Sequence, residues 1–288
     1  MTSILQLLFK IHIHPLLWAL MLLSVVTAQF KTMLMLLIIV LIHELGHSVC
    51  AMYFSWRIKS IVLLPFGGAA EVDEHGNRPL KEEMLVIAAG PAQHIWMAGA
   101  AYLLHLLGVL GTSDYQLFMF YNLSVLLFNL IPVWPLDGGK FLFLLFSLHK
   151  PFQHAHKGML LVSWGILAVY CAVLAFADPL QLNLWAITLF LFYQLTMEHR
   201  QRRFVLMRFL MERYYGRQQD IAKLKPITAD QNDSIFHVLL QFQRGFKHQI
   251  IVERNGEKWS QLDENELLHA YFNEHRTGST VGELVYAY

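Results

Sequence analysis

Two histidines and a glutamate lie together near the middle of a long apolar segment. The segment covers residues 32–54, and its polar centre reads His43-Glu44-Leu-Gly-His47. Residues four apart share one face of a helix, so both imidazoles can bind one Zn²⁺ ion while the adjacent carboxylate acts as a general base. Ionisable groups inside a membrane are costly without partners and usually mark a functional site. The spacing therefore predicts a hydrolytic metal centre at His43, Glu44 and His47.

A catalytic zinc site needs a third protein ligand and one open position. Residues 1–199 contain ten carboxylates, and eight of them lie in connecting segments or at the ends of apolar runs. Apart from Glu44, the exception is Asp137, in the segment FNLIPVWPLDGGK (residues 128–140), where two prolines and two glycines break the helix. Such a break is tolerated at membrane depth where it lines a cavity. We predict that Asp137 is the third ligand, with a structural capping role as the alternative.

Asn129 lies eight residues before Asp137 on the same segment. Its amide could donate to an oxyanion or a substrate backbone, or it could form an interhelical hydrogen bond. Zinc would make a bound water acidic, and Glu44 would take the proton and return it to the leaving amine of a peptide bond. These residues together predict a protease with one Zn²⁺ per chain.

The composition indicates that these residues lie in a polytopic membrane protein. Of the 288 residues, 56% are hydrophobic and 15% are charged, with a mean hydropathy of +0.42, which is too apolar for an ordinary soluble domain. A net charge of +1 gives no support for nucleic-acid binding. A spanning helix needs about 20 mainly apolar residues. Six segments meet that length, near residues 12–30, 32–54, 84–107, 115–133, 158–177 and 179–198.

The basic residues predict how these spans are oriented. Lysines and arginines follow the second, fourth and sixth spans, whereas the connections after the third and fifth spans contain none. Positive residues mark the cytoplasmic side of a membrane. Both termini should therefore be cytoplasmic. The connection at residues 60–82 has strand-forming segments around glycines and a proline, which is typical of a hairpin or a membrane-dipping loop, with a plain connector as the alternative.

The C-terminal third is more polar than the rest of the chain. The last 89 residues hold 24 of the 43 charged residues, so the chain should divide into a membrane domain (1–199), a linker helix (200–222) and a soluble domain (223–288). The linker helix could lie on the membrane surface or serve only as a connection. The soluble part has a β-α-β-β-α pattern, with an Asn255-Gly256 turn and Asp233 as the predicted N-cap of its first helix.

The motifs resemble those of the site-2 protease family of intramembrane zinc metalloproteases. The resemblance rests on His43–His47, on Phe66-Gly67-Gly68 and on Asn129-x-x-Pro-x-x-Pro-Leu-Asp137-Gly. It implies zinc bound by His43, His47 and Asp137, catalysis by Glu44, and cleavage of membrane-associated regulatory proteins. Members often have Gly-Pro-x-x-Asn in the third span, where this chain has His94, which we interpret as a packing or hydrogen-bonded residue rather than a fourth ligand.

The six-span layout with one small C-terminal unit is similar to family members that act in endospore formation. It implies that the substrate is a sigma-factor precursor, that membrane-bound inhibitory proteins are partners, and that the protein lies in the mother-cell membrane around the forespore. The C-terminal unit resembles a cystathionine-β-synthase-like (CBS) unit. Ser260 and Asp263 match its nucleotide-facing Ser-x-x-Asp pattern, which implies adenine-nucleotide binding, with a docking module that binds no nucleotide as the alternative. CBS units usually pair, so the chain should form a homo-oligomer.

An ion transporter or channel with a regulatory CBS module is the main alternative function. Intramembrane His, Glu and Asp side chains would then form an ion path. The spans show no obvious inverted repeat of the kind that many transporters have, and transport does not require a glutamate beside the first histidine. These two points favour the protease.

Overall fold

The computed structural model describes residues 10–64, 67–72, 78–216 and 223–286. These residues form ten helices and six strands. In chain order they are β1 (Ile11–Ile13), α1 (Pro15–Val26), α2 (Phe30–Tyr53), β2 (Ile58–Leu64), β3 (Gly67–Val72), α3 (Leu80–Leu106), α4 (Thr112–Leu130), α5 (Asp137–His149), α6 (Phe152–Ala177), α7 (Leu182–Tyr215), β4 (Leu224–Asp230), α8 (Ile235–Leu239), β5 (Lys247–Arg254), β6 (Glu257–Asp263), α9 (Glu264–Phe272) and α10 (Val281–Val285).

The chain forms two compact units. The first comprises Met1–Glu74, Lys81–Leu142 and Val162–Leu195, and the second comprises His75–Leu80, Phe143–Leu161 and Thr196–Tyr288. The predicted linker helix at 200–222 is not a separate element, because α7 continues through residue 199 to Tyr215. Residues 217–222 of that prediction lie outside the described residues. The division into three domains stays a prediction.

Three of the described helices have the length and the apolar composition of membrane-spanning segments. Among the described residues, α2, α3 and α6 are long and apolar enough to cross a membrane. Their positions agree with three of the six predicted spans, and α4 lies close to a fourth. The described residues thus form a largely helical fold with three long apolar helices, whereas the number of six spans stays a prediction.

The first predicted span, near residues 12–30, contains a helix that is shorter than the prediction. Ile11–Ile13 pair with β2 as a strand, the side chain of His14 accepts a hydrogen bond from the Leu16 amide, and Pro15 occupies the first helical turn. The helix α1 has 12 residues, about 18 Å at 1.5 Å per residue, which is less than the roughly 30 Å hydrocarbon core of a membrane.

A three-stranded sheet follows α2 in the first unit. β2 pairs with β1 in parallel and with β3 in antiparallel register, with Leu63 opposite Gly68. The predicted hairpin in the 60–82 connection is therefore confirmed for β2 and β3. Phe66 of the predicted motif lies outside the described residues. Within those residues β3 is an edge strand of the sheet.

The tail in the second unit is a small α/β fold. β4 and β5 are parallel, β5 and β6 are antiparallel, and the order β-α-β-β-α confirms the predicted pattern. Asn255 and Gly256 both have positive φ angles, as a tight hairpin turn requires. Ser234, and not the predicted Asp233, caps α8, which covers only residues 235–239 of the predicted helix 233–243.

A buried ion pair ties the end of α7 to this tail within the second unit. Arg213 donates to Glu264 over 2.7 Å and to the carbonyl oxygens of Gln243 and Phe246. Glu264 also accepts from the His248 amide at 2.7 Å. Because both charges are buried, their hydrogen bonds offset a large desolvation cost.

Candidate metal centre

The helix α2 places the three residues of the predicted motif inside the protein. His43, Glu44 and His47 are all buried, at 2%, 7% and 7% exposure. Their four-residue spacing puts the two imidazoles on one face, with their Nε2 atoms 3.1 Å apart. The glutamate that follows the first histidine lies on the adjacent part of the same helix. The predicted cluster therefore forms as the sequence pattern indicates.

Asp137 completes the cluster from the first turn of α5. Its Oδ2 atom lies 3.1 Å from Nε2 of His43 and 3.0 Å from Nε2 of His47. Its Oδ1 atom accepts a hydrogen bond from Lys140 at 3.1 Å. At Gly138, a Cβ atom would lie 2.5 Å from the carbonyl oxygen of Ile131. The turn before α5 is therefore too tight for a side chain there.

The donor set fits a zinc ion. Zinc at about 2.0–2.1 Å from each ligand holds tetrahedral ligand atoms roughly 3.3 Å apart, close to the 3.0–3.1 Å observed here. Asp137 Oδ2 is buried and has no hydrogen-bond partner among the described residues. A carboxylate oxygen in that position needs a cation or a donor. Two imidazoles and one carboxylate are also a common catalytic zinc ligand set.

Helix α3 lies against α2 and orients the second histidine. Nδ1 of His47 donates to the carbonyl oxygen of Val86 at 2.8 Å, which leaves Nε2 free to bind a metal. Two glycines allow the close approach. A Cβ at Gly46 would lie 2.7 Å from the Ala89 carbonyl oxygen, and one at Gly90 would overlap the His47 ring.

The first histidine is oriented by side chains of two other helices. Nδ1 of His43 lies 3.1 Å from Nε2 of His94 on α3. Nδ1 of His94 in turn lies 2.8 Å from Oδ1 of Asn122 on α4. His94 is thus a hydrogen-bonded residue, as predicted, and its ring does not belong to the three-residue ligand cluster.

The Glu44 carboxylate is held beside the β3 backbone. A Cβ at Gly68 would lie 2.7 Å from Cδ of Glu44 and 2.9 Å from its Oε1. Only a glycine therefore leaves room for the carboxylate where it stands. This contact gives a physical reason for a glycine in the Phe66-Gly67-Gly68 motif.

Three predicted site residues lie away from the cluster or have other contacts. The Asn129 amide donates to the carbonyl oxygen of Val125 in its own helix at 3.0 Å. Asp263 caps α9 by accepting from the Asn265 amide at 2.8 Å, and it pairs with Lys247 at 2.9 Å. Ser260 lies on β6, opposite Val252. Their predicted roles stay predictions.

Sequence reasoning missed two side chains and one backbone carbonyl near the cluster. Lys140 is one turn after Asp137, and a lysine that close to a predicted ligand could have been recognised as its partner. Asn122 is a buried polar residue inside a predicted span, and the cost of such a group in a membrane is the signal that could have found it. The Val86 carbonyl has no sequence signal.

Comparisons with known proteins decide the family. The family model described as Peptidase family M50 matches residues 31–112 and 111–170. Stage IV sporulation protein FB of Bacillus subtilis is 52% identical over 288 residues, which cover all of both chains. The chain belongs to peptidase family M50. A zinc metalloprotease of Methanocaldococcus jannaschii is also 34% identical over 114 residues, covering 38% of this chain and 32% of its own.

The M50 fold agrees with a solved structure. A site-2 protease from Methanocaldococcus jannaschii superposes with a TM-score of 0.54 at 24% identity, covering 65% of this chain and 89% of that one. The family model and the 52% identical relative make this M50 chain a membrane metalloprotease, and the zinc predicted from the motif agrees with the family and with the cluster. Membership in a peptidase family gives no support to the transporter or channel alternative.

Proposed function

We propose that this intramembrane metalloprotease holds one Zn²⁺ on His43, His47 and Asp137 and uses Glu44 as its general base. The convergence of three ligand atoms within 3.0–3.1 Å of one another, in a buried site, carries this assignment. The orphaned Oδ2 of Asp137 supports the presence of a cation. Glu44 follows a ligand directly in sequence, as in other H-E-x-x-H sites.

The chain's own residues set up the reaction. Zinc, when bound, polarises a carbonyl and makes a water acidic. Glu44 accepts the proton from the attacking water and delivers it to the nitrogen of the departing amine. Burial of Glu44 and of the ligand side chains strengthens every electrostatic interaction at the site. Lys140 donates to Asp137 and so keeps that carboxylate in a fixed orientation.

The edge strand β3 is suited to hold an extended substrate next to this base. Its outer backbone has no strand partner among the described residues, and Gly68 touches the Glu44 carboxylate. A peptide that adds to β3 would gain main-chain hydrogen bonds and would pass beside Glu44. Deletion of residues 66–69 should therefore abolish cleavage; unchanged cleavage would refute this part of the proposal.

The substrate is proposed from the relatives. The relative that is 52% identical is a sporulation protein, which supports a role in sporulation. We infer that the substrate is a membrane-associated sigma-factor precursor, that membrane-bound inhibitory proteins act on the enzyme, and that it lies in the mother-cell membrane around the forespore. Six spans with both termini in the cytoplasm agree with the distribution of basic residues.

The tail is proposed to be a CBS-like unit that regulates the enzyme and pairs in a homo-oligomer. Its β-α-β-β-α order is the observation that supports it. Adenine-nucleotide binding at Ser260 and Asp263 stays a prediction. The Asp263 carboxylate already caps α9 and pairs with Lys247, which favours a docking module over a nucleotide site.

One experiment tests the catalytic assignment. The variant Glu44→Gln keeps the size of the side chain and removes the base, so the purified full-length protein should retain stoichiometric zinc and lose cleavage of a membrane-tethered substrate. His43→Ala should lose both zinc and cleavage. Cleavage by Glu44→Gln at the wild-type rate would refute the mechanism, and zinc retained by His43→Ala would refute the ligand set.

A further inference from the structure

A chain of three buried polar side chains leads away from the proposed zinc site. It links His43 on α2 to His94 on α3 and to Asn122 on α4, over 3.1 Å and 2.8 Å. The three residues are 2%, 1% and 4% exposed. Each therefore depends on the others for its hydrogen bonds. One further contact determines which atom donates and which accepts in each of these hydrogen bonds.

That contact is the one between the Asn122 side chain and a backbone carbonyl oxygen. Nδ2 of Asn122 lies 3.0 Å from the carbonyl oxygen of His94. A carbonyl oxygen only accepts hydrogen bonds, so the atom that faces it must be the amide NH₂ group. The other amide atom, Oδ1, must then face Nδ1 of His94. A reversed amide would place its oxygen against the carbonyl oxygen of His94, where two acceptors and no donor would meet.

The orientation of Asn122 determines where the protons lie on both histidines. Because Oδ1 of Asn122 accepts, Nδ1 of His94 carries the proton and Nε2 of His94 is an acceptor. Nδ1 of His43 must therefore be the donor in the 3.1 Å contact with His94. This leaves Nε2 of His43 without a proton, and that is the atom 3.1 Å from Asp137 Oδ2. A neutral imidazole binds a metal through its unprotonated nitrogen.

We propose that His94 is a positioning residue that fixes the metal-binding tautomer of His43, and that Asn122 fixes His94 in turn. The inference rests on the proposed ligand set. It assigns to α3 and α4 a share of the zinc affinity although neither helix supplies a ligand. Outer partners of ligating histidines set ring orientation and tautomer, and their loss typically lowers metal affinity about 10- to 100-fold.

The test compares two substitutions of His94 in the purified full-length protein. His94→Phe keeps a ring of similar size and removes the acceptor, so it should lower zinc affinity about 10- to 100-fold. His94→Gln places a side-chain amide that can accept from Nδ1 of His43, and should bind zinc within about threefold of the wild type. Affinity is measured by competition with a chelator, and the number of bound imidazoles by X-ray absorption.

A matched control and a second position complete the design. His105→Phe replaces a histidine of the same helix that contacts the Leu110 carbonyl oxygen instead of His43, and it should leave zinc affinity unchanged. Asn122→Leu removes the acceptor for His94 and should also weaken zinc binding, which keeps the proposal testable if His94→Phe does not fold.

The outcomes separate the proposal from its alternatives. Wild-type affinity in His94→Phe would show that His94 only packs and would overturn the proposal. A loss in both His94 variants, with one imidazole fewer at the metal, would make His94 a ligand and would overturn it as well. If His43→Ala retained full zinc affinity, the ligand set itself would be refuted, whereas a loss there without an effect of His94→Phe would refute only the positioning role.

Discussion

The contact between Gly68 and Glu44 leads to a prediction that separates catalysis from metal binding. In Gly68→Ala, the new methyl group would lie 2.7 Å from Cδ of Glu44 and 2.9 Å from Oε1. Non-bonded carbon atoms are most stable about 3.5–4.0 Å apart. The carboxylate must therefore move by roughly 0.8 Å or more. The three ligand side chains are not among the atoms that the methyl group meets first.

The magnitude follows from the role of the carboxylate. A displacement of about 1 Å at a reacting group can cost on the order of 100-fold in rate, and a general base contributes roughly 10²- to 10⁴-fold. We expect Gly68→Ala to lower kcat about 10- to 100-fold. Zinc content should stay at the wild-type level. The fold should persist too, because the φ of Gly68 lies outside the left-handed region and a long side chain can yield to the new methyl group.

The assay measures cleavage of a membrane-tethered substrate at saturating concentration, with zinc determined on the same sample. Gly99→Ala is the control, because a Cβ there meets no atom within 4 Å and both kcat and zinc should be unchanged. A Gly68→Ala enzyme with wild-type kcat would show that Glu44 does not act from its observed position. Loss of zinc together with activity would show that β3 supports the ligands instead.

Three further predictions concern other contacts. Gly90→Ala would place a methyl group against the His47 ring, 2.8 Å from its Cδ2 atom, and should lower zinc affinity at least about 10-fold. Competition with a chelator measures the zinc affinity. Unchanged affinity would contradict the close packing of the two helices. Arg213→Met leaves the buried charge of Glu264 unpaired, which should destabilise the tail by about 3–5 kcal/mol. Hydrogen exchange of the β5 amides in the full chain measures this loss. Unchanged protection would show that the ion pair does not stabilise the tail. Burial, and to a lesser extent the nearby Arg213 charge, lowers the pKa of His248 below its ordinary value. The unfolded tail therefore binds more protons than the folded tail, and the protection of the β5 amides should fall as the pH drops below about 6.5. Protection that is flat or rises on acidification would refute this assignment.

The ligands could be predicted from the sequence because their cost in a membrane singles them out. His43 and His47 lie at helical spacing inside an apolar run, where few polar residues are tolerated. Asp137 could be found by elimination, since the other carboxylates lie in loops or at span ends, apart from Glu44 beside the ligands. The structure brings these three predicted ligands together. Their roles in binding zinc stay proposals that the variants above test.

Other features could not be predicted, because they depend on long-range packing. Residues 11–13 have the apolar character of a helix start, yet they form β1 because β2 offers a strand partner about 50 residues later. The helix α5 is short and begins at Asp137 beside two glycines, so neither its length nor its start resembles a typical span. The amide of Asn129 donates to its own helix backbone, a contact that a sequence pattern cannot reveal; its predicted role toward the substrate stays a prediction.

The glycines explain why the site forms in this chain and not simply wherever a HELGH motif occurs. Gly46 and Gly90 let α2 and α3 approach so closely that the His47 ring reaches a backbone carbonyl of α3. Gly68 lets β3 touch the proposed base, and Gly138 lets the chain turn directly after the third ligand. In each case a methyl group would occupy space that a ligand, the base or the backbone now fills. The motif supplies the chemical groups, and these four contacts fix the distances between them, on which zinc binding and proton transfer both depend.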